Sequence, residues 1–536
     1  MTDPGAPAEK QGSTFSSRLK SSTRFLRPTH EHSAFSATLL LMSAVMLSRV
    51  IGYLREAYIA WAFGAGPQTD AYVAAFTLPD WLNYIVAGGT ASITFISLFA
   101  RYSSQGREEQ AQRAFNNVIT IMIVTLTGLL IVAEVFASQI VRWYFRDFSP
   151  AQLDLCVRLT RILLPAQIFF YVGGIVSAVL LAKRLFLYPA LGPILYNLFI
   201  ILGGVLLSSK LGIASLAYGA VAGAVIGPFL INAIGAGQAG MRYRLSFDAN
   251  HPGFREWLRL SIPLMLGVSL VAADEWIMRF FAAGGAGDIT RLNYAKRLFA
   301  VPIAVLGQAT GQASLPFFAR IFGEKRPQDF ASAVSQSVYR VAAAAFLASA
   351  WMLAAALPLV DLVYRRGRFT FADSQETAVF FFWFALSLAF WSAQALYSRG
   401  FYAAGDTLTP MIAGTLVTVA SIPLYWWLFQ RYSVTGLAIA SDVGILAHTV
   451  VVAFLLDRKG LVPAASMPWL ELGKALLTAA CAGLVSYYVA RMVFVDGRRR
   501  SDFAAIGLVT VTWAAAAAIG LWATRSRLLL DLRVKK

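Results

Sequence analysis

The sequence predicts an all-α polytopic membrane protein with about 14 transmembrane helices, and three observations predict it. Hydrophobic residues make up 58% of the 536 residues and charged residues only 14%, which is too little polar surface for a water-soluble chain of this length. Apolar runs of about 20 residues recur along the chain, the length at which a helix crosses roughly 30 Å of hydrocarbon. These runs lack the apolar–polar alternation of membrane β-strands, which excludes a barrel.

Charged or turn-rich breaks between the apolar runs give the approximate bounds of the spans. The predicted spans cover residues 34–62, 69–100, 114–138, 157–181, 188–208, 213–237, 257–283, 289–319, 334–357, 374–403, 409–429, 434–456, 467–492 and 503–524. Pro165, Pro302 and Pro423 lie within three of them. We expect these prolines to kink their helices, because proline cannot donate the backbone hydrogen bond of a helix interior.

Two pairs of similar segments indicate an internal repeat. "WAFGAGPQTDAYVAAFTLP" (61–79) resembles "FAAGGAGDITRLNYAKRLFAVP" (281–302), and "FFYVGGIVSAVLLAKRLFLYP" (169–189) resembles "AFWSAQALYSRGFYAAGDTLTP" (389–410). A repeat would make spans 1–6 and 7–12 two parallel six-helix lobes around a central site, an arrangement typical of transporters. Chance similarity between apolar helices is the alternative.

The repeat predicts how the whole chain is organised. The predicted parts are a disordered basic cytoplasmic tail (1–33), an N-lobe (34–240), a C-lobe (241–460), two extra helices (461–524) and a basic cytoplasmic tail (525–536). Residues 1–33 are polar and rich in Ser and Thr, and they lack the apolar core and cleavage site of a secretory signal.

The net charge of +18 is concentrated in the N-terminal tail and the short loops. This distribution favours membrane orientation and attraction to anionic lipid headgroups over nucleic-acid binding. With the N-terminus inside, the inner segments carry roughly 26 basic residues and the outer loops roughly 12. Both termini are therefore predicted to be cytoplasmic, although the outer loops "YRRGRF" (364–369) and "DGRRRS" (496–501) are basic.

The sequence contains no pattern that indicates an enzyme or a cofactor. Cys156 and Cys481 lie in different apolar segments, so neither a disulfide framework nor a metal cluster is predicted. The chain has no phosphate-binding P-loop, no HExxH and no candidate nucleophile–base arrangement. A membrane glycosyltransferase would need carboxylates in large outer loops, and the outer loops here are short and basic.

A charged constellation interrupts the first two predicted spans. "LSRVIGYLREAYIAWAFGAGPQTDAYVAAFTLPD" (47–80) carries Arg49, Arg55, Glu56, Asp70 and Asp80. Ionisable groups in a bilayer cost several kcal/mol each, so they usually mark a functional site. Arg49 and Arg55 are separated by about 120° around a helix and about 9 Å along it, which allows both to flank one lumen.

Arg297, with Arg291 and Lys296 nearby, gives the second predicted lobe a matching set of cations. Guanidinium groups pair bidentately with phosphoryl oxygens, so this set is typical of a receptor for a diphosphate. Glu56 and Asp70 would hold the arginines in place or alternate with substrate as their partners. The structural alternative is that the cations extend to the headgroup level or pair within the bundle.

Motifs along residues 34–460 resemble one known family. "SRVIGYLREAYIAWAFGAGPQTDAYVAAFTLPD", "LTRILLP", "LNYAKRL", "YRRGRFT" and "FYAAGDTLTP" occur in the order found in the MurJ/MviN family of lipid II flippases. That family belongs to the multidrug/oligosaccharidyl-lipid/polysaccharide exporter superfamily. The resemblance implies 14 helices in two lobes around a cationic cavity.

The resemblance also implies an activity, a location and partners. The implied activity is not enzymatic: it is alternating-access movement of a polyprenyl-diphosphate-linked glycan, lipid II for peptidoglycan, across the bacterial inner membrane to the periplasmic leaflet. No cofactor is implied. Lipid II or a related undecaprenyl-diphosphate glycolipid, membrane lipids and cell-wall synthesis proteins are the implied partners.

Matching motifs carry four family residues onto this chain. Arg49 matches the arginine of "SR", Arg55 that of "RE", Asp70 the acid of "TDA" and Arg297 the arginine of the family's "YADRL". In the family these residues line the cavity, and the arginines are implied to hold the diphosphate.

The chain departs from the family pattern after "LP" at 78–79. Asn83 and Tyr84 stand where the family has an arginine pair, and Gly88 stands where it has an acid of the gate. The departures keep two alternatives open: an exporter of another lipid-linked oligosaccharide, such as a capsule or exopolysaccharide precursor, and a non-transporting lipid-binding scaffold.

A second departure concerns ion coupling. In the family, helix 11 carries two polar residues that help hold sodium, and this chain has Ser421 and Tyr425. Asp274 lies one turn from the family's acid position on helix 7, and Asp442 lies inside predicted span 12. Asp274 and Asp442 are therefore candidates for an ion or proton site, with a structural hydrogen bond as the equal alternative for Asp442.

Overall fold

A computed structural model describes residues 34–528 except 85–94, 96–97, 100, 103–104, 184, 267–269 and 494–498. The predicted tail 1–33, residues 529–536 of the second tail and the expected gate position Gly88 lie outside the described residues. The described part is built of helices joined by short turns. In chain order to residue 240 the helices are α1 (Ala34–Phe63), α2 (Pro67–Ala75), α3 (Thr77–Leu82), α4 (Glu108–Tyr144), α5 (Pro150–Leu163), α6 (Ala166–Ala182), α7 (Leu187–Leu211), α8 (Ala214–Ala224) and α9 (Asn232–Gln238).

The remaining helices continue the same pattern. They are α10 (Pro252–Leu266), α11 (Leu270–Phe281), α12 (Asp288–Pro302), α13 (Thr310–Gly323), α14 (Pro327–Ala354), α15 (Ala356–Tyr364), α16 (Phe371–Leu386), α17 (Leu388–Ala403), α18 (Leu408–Arg458), α19 (Trp469–Val493) and α20 (Arg499–Ala523). Two π-helical segments, Val225–Ile231 and Ile303–Ala309, connect α8 to α9 and α12 to α13.

Within the described residues, nine helical segments are long and apolar enough to cross a membrane, and the pair α16 and α17, bent by 43°, would make ten. This confirms the prediction of an all-α polytopic membrane protein. The number 14 stays a prediction, and predicted span 2 (69–100) falls largely outside the described residues. The division into lobes at residue 240 also stays a prediction.

The breaks between helices have local causes. Pro165 lies between α5 and α6, and Pro302 ends α12 where the helix becomes π-helical. Pro423 lies inside α18 without ending it, and the break in α18 falls at Ser433, whose φ of 52° and ψ of −143° are not helical. This break separates predicted spans 11 and 12.

Glycines let α7 and α8 pack closely. A Cβ at Gly203 would lie 2.7 Å from the Cα of Gly219, and a Cβ at Gly219 would lie 2.6 Å from the carbonyl oxygen of Phe199. Small residues are favoured where membrane helices approach, because lipid-exposed helices gain little from apolar burial alone. Helix α7 of this pair also packs against α1 and supports the residues of α1 described next.

Buried aromatic residues join the beginning of the chain to its second half. The rings of Tyr294 and Tyr364 stack with centroids 4.7 Å apart, and the Tyr364 hydroxyl donates to the carbonyl oxygen of Tyr294 at 3.1 Å. Tyr72 of α2 belongs to the same buried core as Tyr294 of α12. This core fixes α2 against α12, next to a cavity lined by charged residues.

Candidate substrate cavity

A cavity of about 280 Å³ lies between α1, α2, α3, α7, α11 and α12. Its lining contains three arginines and two acids among polar and aromatic side chains. The lining residues are Arg55, Glu56, Ile59, Thr69, Tyr72, Val73, Phe76, Asp80, Tyr196, Arg279, Asn293, Tyr294 and Arg297. The cavity is therefore cationic, with one more arginine than acid.

Arg55 is held in place by neighbours on two helices. Its Nη1 donates to Oδ1 of Asn197 at 2.8 Å, and its Nη2 pairs with Oε1 of Glu56. Asn197 is itself fixed, because its Nδ2 donates to the carbonyl oxygen of Pro193 at 2.9 Å. The Nε of Arg55 is buried and has no hydrogen-bond partner within the described part of the chain. Arg55 thus keeps a donor that the described residues do not use.

Arg297 approaches the same carboxylate from α12. Its Nε lies 3.9 Å from Oε1 of Glu56, and its side chain is 45% exposed. The Tyr53 hydroxyl donates to the carbonyl oxygen of Arg297 at 2.8 Å and so joins α1 to α12. Glu56 therefore lies between two guanidinium groups. Arg297 is the more exposed of the two, and Arg55 keeps its Nε for a further partner.

Arg279 and Asp80 form a third charged pair in the lining. The sequence reasoning noted Asp80 as an acid within a span but missed Arg279. Nη1 of Arg279 lies 2.9 Å from Oδ2 of Asp80, and Nη2 lies 3.4 Å from Oε2 of Glu275. The signal was present, because Arg279 is an arginine inside predicted span 7. The rule that singled out Arg55 applies equally to it.

The structure places Arg49 and Asp70 outside this lining. Arg49 is exposed on α1. Asp70 is fully buried, and its Oδ1 accepts hydrogen bonds from the backbone N of Thr290 at 2.9 Å and from its hydroxyl at 2.7 Å. Its Oδ2 accepts from the backbone N of Gly287. The expected pairing of Asp70 with the arginines is absent from the described residues, since this carboxylate caps the N-terminus of α12.

Asp274 is also occupied by partners of this chain. It is fully buried, Oδ2 pairs with Nζ of Lys296, and Oδ1 accepts from the Tyr425 hydroxyl. The Ser421 hydroxyl donates to the carbonyl oxygen of Val417 at 2.7 Å. An ammonium group therefore sits on the carboxylate that a sodium ion would need, and these residues do not fit a sodium site.

Asp442 lies near this group on the second half of α18. Both of its carboxylate oxygens are buried and have no hydrogen-bond partner within the part of the chain that the structure describes. A buried carboxylate without a partner is costly as an anion, so it is expected to carry a proton or to attract a cation. Its role as an ion or proton site stays a prediction.

The family model described as "Lipid II flippase MurJ" matches residues 59–497. The chain belongs to the MurJ family. A lipid II flippase MurJ of Burkholderia cenocepacia is 27% identical over 471 residues, covering 84% of this chain and 90% of that protein. A probable lipid II flippase MurJ of Rhizobium tropici is 27% identical over 427 residues, covering 78% of this chain and 80% of the relative.

Solved structures agree with the MurJ family fold. A lipid II flippase MurJ in an inward closed conformation superposes with a TM-score of 0.75 at 21% identity, covering 90% of this chain and 99% of that one. An inward-facing multidrug transporter of the MATE family, in the MOP superfamily, gives a TM-score of 0.64 at 15% identity, covering 78% and 98%. At these identities the likeness shows the fold alone.

Proposed function

We propose that this protein is a lipid II flippase, which moves the lipid-linked peptidoglycan precursor from the cytoplasmic to the periplasmic leaflet of the bacterial inner membrane. The observation that carries the proposal is the cavity in which Arg55, Arg279 and Arg297 meet from three helices. Guanidinium groups are suited to a diphosphate, because their planar donors pair with two phosphoryl oxygens at once. The names of the MurJ relatives support the same substrate.

Glu56 is an acid that a substrate phosphate could replace as the partner of an arginine. In the described state its carboxylate accepts from Arg55 and faces Arg297 at 3.9 Å. A diphosphate entering the cavity would replace Glu56 as the partner of Arg297 and use the free Nε of Arg55. Arg49, about 9 Å before Arg55 along α1, would meet the headgroup first from the cytoplasmic side. Asp70 would take no direct part, since its oxygens are already bonded.

The size of the cavity indicates a conformational change. At about 280 Å³ it is smaller than the roughly 300–1,000 Å³ of ordinary ligand sites, and a glycan–peptide headgroup is larger than an ordinary ligand. The helices on its two sides must therefore separate to admit the headgroup and separate on the other side to release it. This is the alternating access expected of two packed lobes.

The energy for transport would come from the membrane potential or a proton rather than from sodium bound at Asp274. Lys296 already neutralises Asp274, and Asp442 is the candidate proton site. Moving one elementary charge across 100 mV supplies about 2.3 kcal/mol, which is enough to bias the cycle.

The proposal extends to location and partners. An inner-membrane flippase of this kind would have both termini in the cytoplasm, as the loop charges predict. Its activity would serve peptidoglycan synthesis, cell wall biogenesis and cell shape. Enzymes of cell-wall synthesis that make or use the lipid would be its neighbours.

The experiment is headgroup accessibility of lipid II in cells depleted of their own flippase and complemented with this protein. Wild type is expected to restore outer-leaflet lipid II, and Arg55→Ala and Arg297→Ala are expected to fail at equal membrane abundance. Arg113→Ala is the control, because that side chain is 71% exposed and lies 3.9 Å from Glu109 on the surface of α4. If wild type fails where an established relative succeeds, the alternatives of another lipid-linked glycan or a scaffold replace this proposal.

A further inference from the structure

A second cavity, of about 410 Å³, which we call the outer cavity, is lined by residues of α5 and α8 in the first half of the chain. It is formed where α5 passes α4 and α8. Its lining residues are Asp154, Val157, Arg158, Arg161, Ile162 and Tyr218. None of these residues lines the substrate cavity, so the proposed transport does not use this site.

Two arginines of α5 face this outer cavity together. Arg158 and Arg161 are three residues apart and therefore lie on the same face of the helix. Nε of Arg161 lies 3.9 Å from Oε2 of Glu134, a loose ion pair in which the arginine is 49% exposed. Arg158 has no ion-pair or hydrogen-bond partner in the described ranges, and it is exposed.

The acid nearest to Arg158 in sequence is already engaged. Asp154, one turn earlier on α5, pairs with Nη2 of Arg142 at 2.6 Å. Around the outer cavity, three arginines (142, 158 and 161) therefore face two acids (134 and 154), an excess of one positive charge. An anion of single charge would balance the set, and Arg158 is the residue free to bind it.

An apolar stripe leads from the cavity along α4. Ile131 and Val135 are 60% and 59% exposed, and each lies three residues before a polar residue of α4, Glu134 and Ser138 respectively. Nε of Arg142 donates to the Ser138 hydroxyl at 3.3 Å, so this face of α4 continues to the arginine that pairs with Asp154 of the cavity lining. Residues spaced by three or four share one helix face, which places apolar side chains directly beside the cationic pocket.

The outer cavity lies at the predicted boundary between the apolar part of the membrane and the headgroups. Predicted span 3 ends at residue 138, shortly after Glu134, and predicted span 4 begins at residue 157, next to Arg158. Arginines at such a boundary place their charged ends at the headgroup level and their stems in the apolar region. Tyr218 of α8, 43% exposed, adds a hydroxyl and an aromatic ring at the same level.

We propose that this outer cavity is a binding site for the phosphate headgroup of an anionic phospholipid of the phosphatidylglycerol class. Arg158 and Arg161 would bind the phosphodiester, and an acyl chain would lie along Ile131 and Val135. In the orientation proposed above, the site faces the periplasmic leaflet. It is separate from the substrate cavity, so its occupancy and lipid II transport are independent measurements.

The test is native mass spectrometry of the full-length protein in detergent, titrated with phosphatidylglycerol and, separately, with phosphatidylethanolamine. Wild type is expected to bind phosphatidylglycerol more tightly. Arg158→Ala and Arg161→Ala are each expected to lower that affinity about fivefold, because one arginine near an anionic membrane surface contributes about 1 kcal/mol to lipid binding. Arg113→Ala, on the far end of α4, is the matched control and is expected to bind as wild type does.

Two further arms separate the sources of the anion. In the first, inorganic phosphate alone is expected not to displace phosphatidylglycerol, because phosphate makes no contact with the apolar stripe. In the second, Ile131→Ser is expected to weaken lipid binding while leaving both arginines intact. Equal affinity of wild type and the Arg158→Ala/Arg161→Ala double variant for phosphatidylglycerol would overturn the proposal. Displacement by inorganic phosphate would also overturn it in favour of a free-anion site. The double variant must elute as a folded protein, so that a change in its affinity reports on the binding site and not on unfolding.

Discussion

Two groups of charged residues join helices from the two halves of the chain: a cavity cluster of Arg55, Glu56 and Arg297, and a junction cluster of Asp70, Asp288, Arg291, Asp373 and Glu376. In the junction cluster, Arg291 lies 3.0 Å from Asp288, 3.1 Å from Asp373 and 3.0 Å from Glu376. In the cavity cluster, Arg297 has one acid at 3.9 Å and is 45% exposed. The two clusters contain the same residue types, but they differ in how many close acids surround the arginine: Arg291 has three, and Arg297 has one distant acid. We call a charge saturated when close partners of the chain already surround it.

The difference shows how to separate structural charges from functional ones in a membrane protein. A saturated buried charge has already exchanged water for protein partners, so it gains little by meeting a ligand. An arginine with a distant partner and open space keeps the capacity to bind an anion. We therefore expect changes in the junction cluster to affect stability and changes in the cavity cluster to affect transport.

Arg291→Ala is expected to have the largest effect on stability. It would leave Asp288 and Asp373, whose side chains are 19% and 11% exposed, without their cation. Breaking a buried ion pair by removing one partner costs about 3–5 kcal/mol. Thermal unfolding in detergent should show the loss, while transport per folded molecule stays near wild type. Loss of transport in a fully stable Arg291→Ala variant would place this arginine in the transport site instead.

Lys296→Met should cost about 3 kcal/mol, because it leaves Asp274 buried and charged. Adding Asp274→Asn to the same chain is expected to restore most of that stability, since the uncompensated charge is gone. Unfolding of both single variants and the double variant gives the coupling energy directly.

Because Lys296 is already the cation of Asp274, replacing sodium by potassium should leave wild-type transport unchanged. Sodium-dependent transport would contradict this account of the site.

Arg279→Lys tests the part of the cavity that the sequence reasoning missed. Lysine keeps the charge beside Asp80, 2.9 Å away in wild type, but it loses the planar pair of donors that suits a phosphate. Arg279 is itself buried, but its partner Asp80 is 38% exposed, so a phosphate could replace that acid. We expect lipid II transport to fall about fivefold, roughly 1 kcal/mol, with little change in unfolding temperature. Equal transport by Arg279→Lys and wild type would limit the role of Arg279 to holding Asp80.

The fold was predictable because membrane spans depend on length and composition, which the sequence shows directly. Ala34–Phe63 and Leu187–Leu211 follow predicted spans 34–62 and 188–208 within a few residues. The break of α18 at Ser433 was also predictable, since "RYSVTG" interrupts the apolar run.

The site was only partly predictable, because the sequence shows which charges lie in spans and not which of them meet. Asp70 matched a family motif, yet its carboxylate is saturated by donors 217 and 220 residues away. Arg279 matched no motif, yet it lines the cavity. Saturation depends on contacts between distant segments, and these follow from the fold rather than from spacing along the chain.

A third group of charges, in the turn before α18, should show the smallest effect because it is exposed. Asp406 accepts from the backbone N of Thr409 at 2.9 Å and pairs with Lys459, whose side chain is 44% exposed. Partial burial raises the pKa of Asp406, but hydrogen bonds from Lys459 and Thr409 outweigh burial and lower that pKa to about 2. A lowered pKa means that this stabilisation is complete above the carboxyl's unfolded value, about 3.9, and is lost as the pH falls toward 2. Asp406→Asn should therefore cost about 1 kcal/mol at neutral pH and almost nothing at pH 2, as measured by unfolding across that range. If the free energies of unfolding of Asp406→Asn and wild type differed by the same amount at every pH, the charge of Asp406 would contribute nothing to stability. The exposed group would then be stabilised by hydrogen bonds that do not depend on that charge.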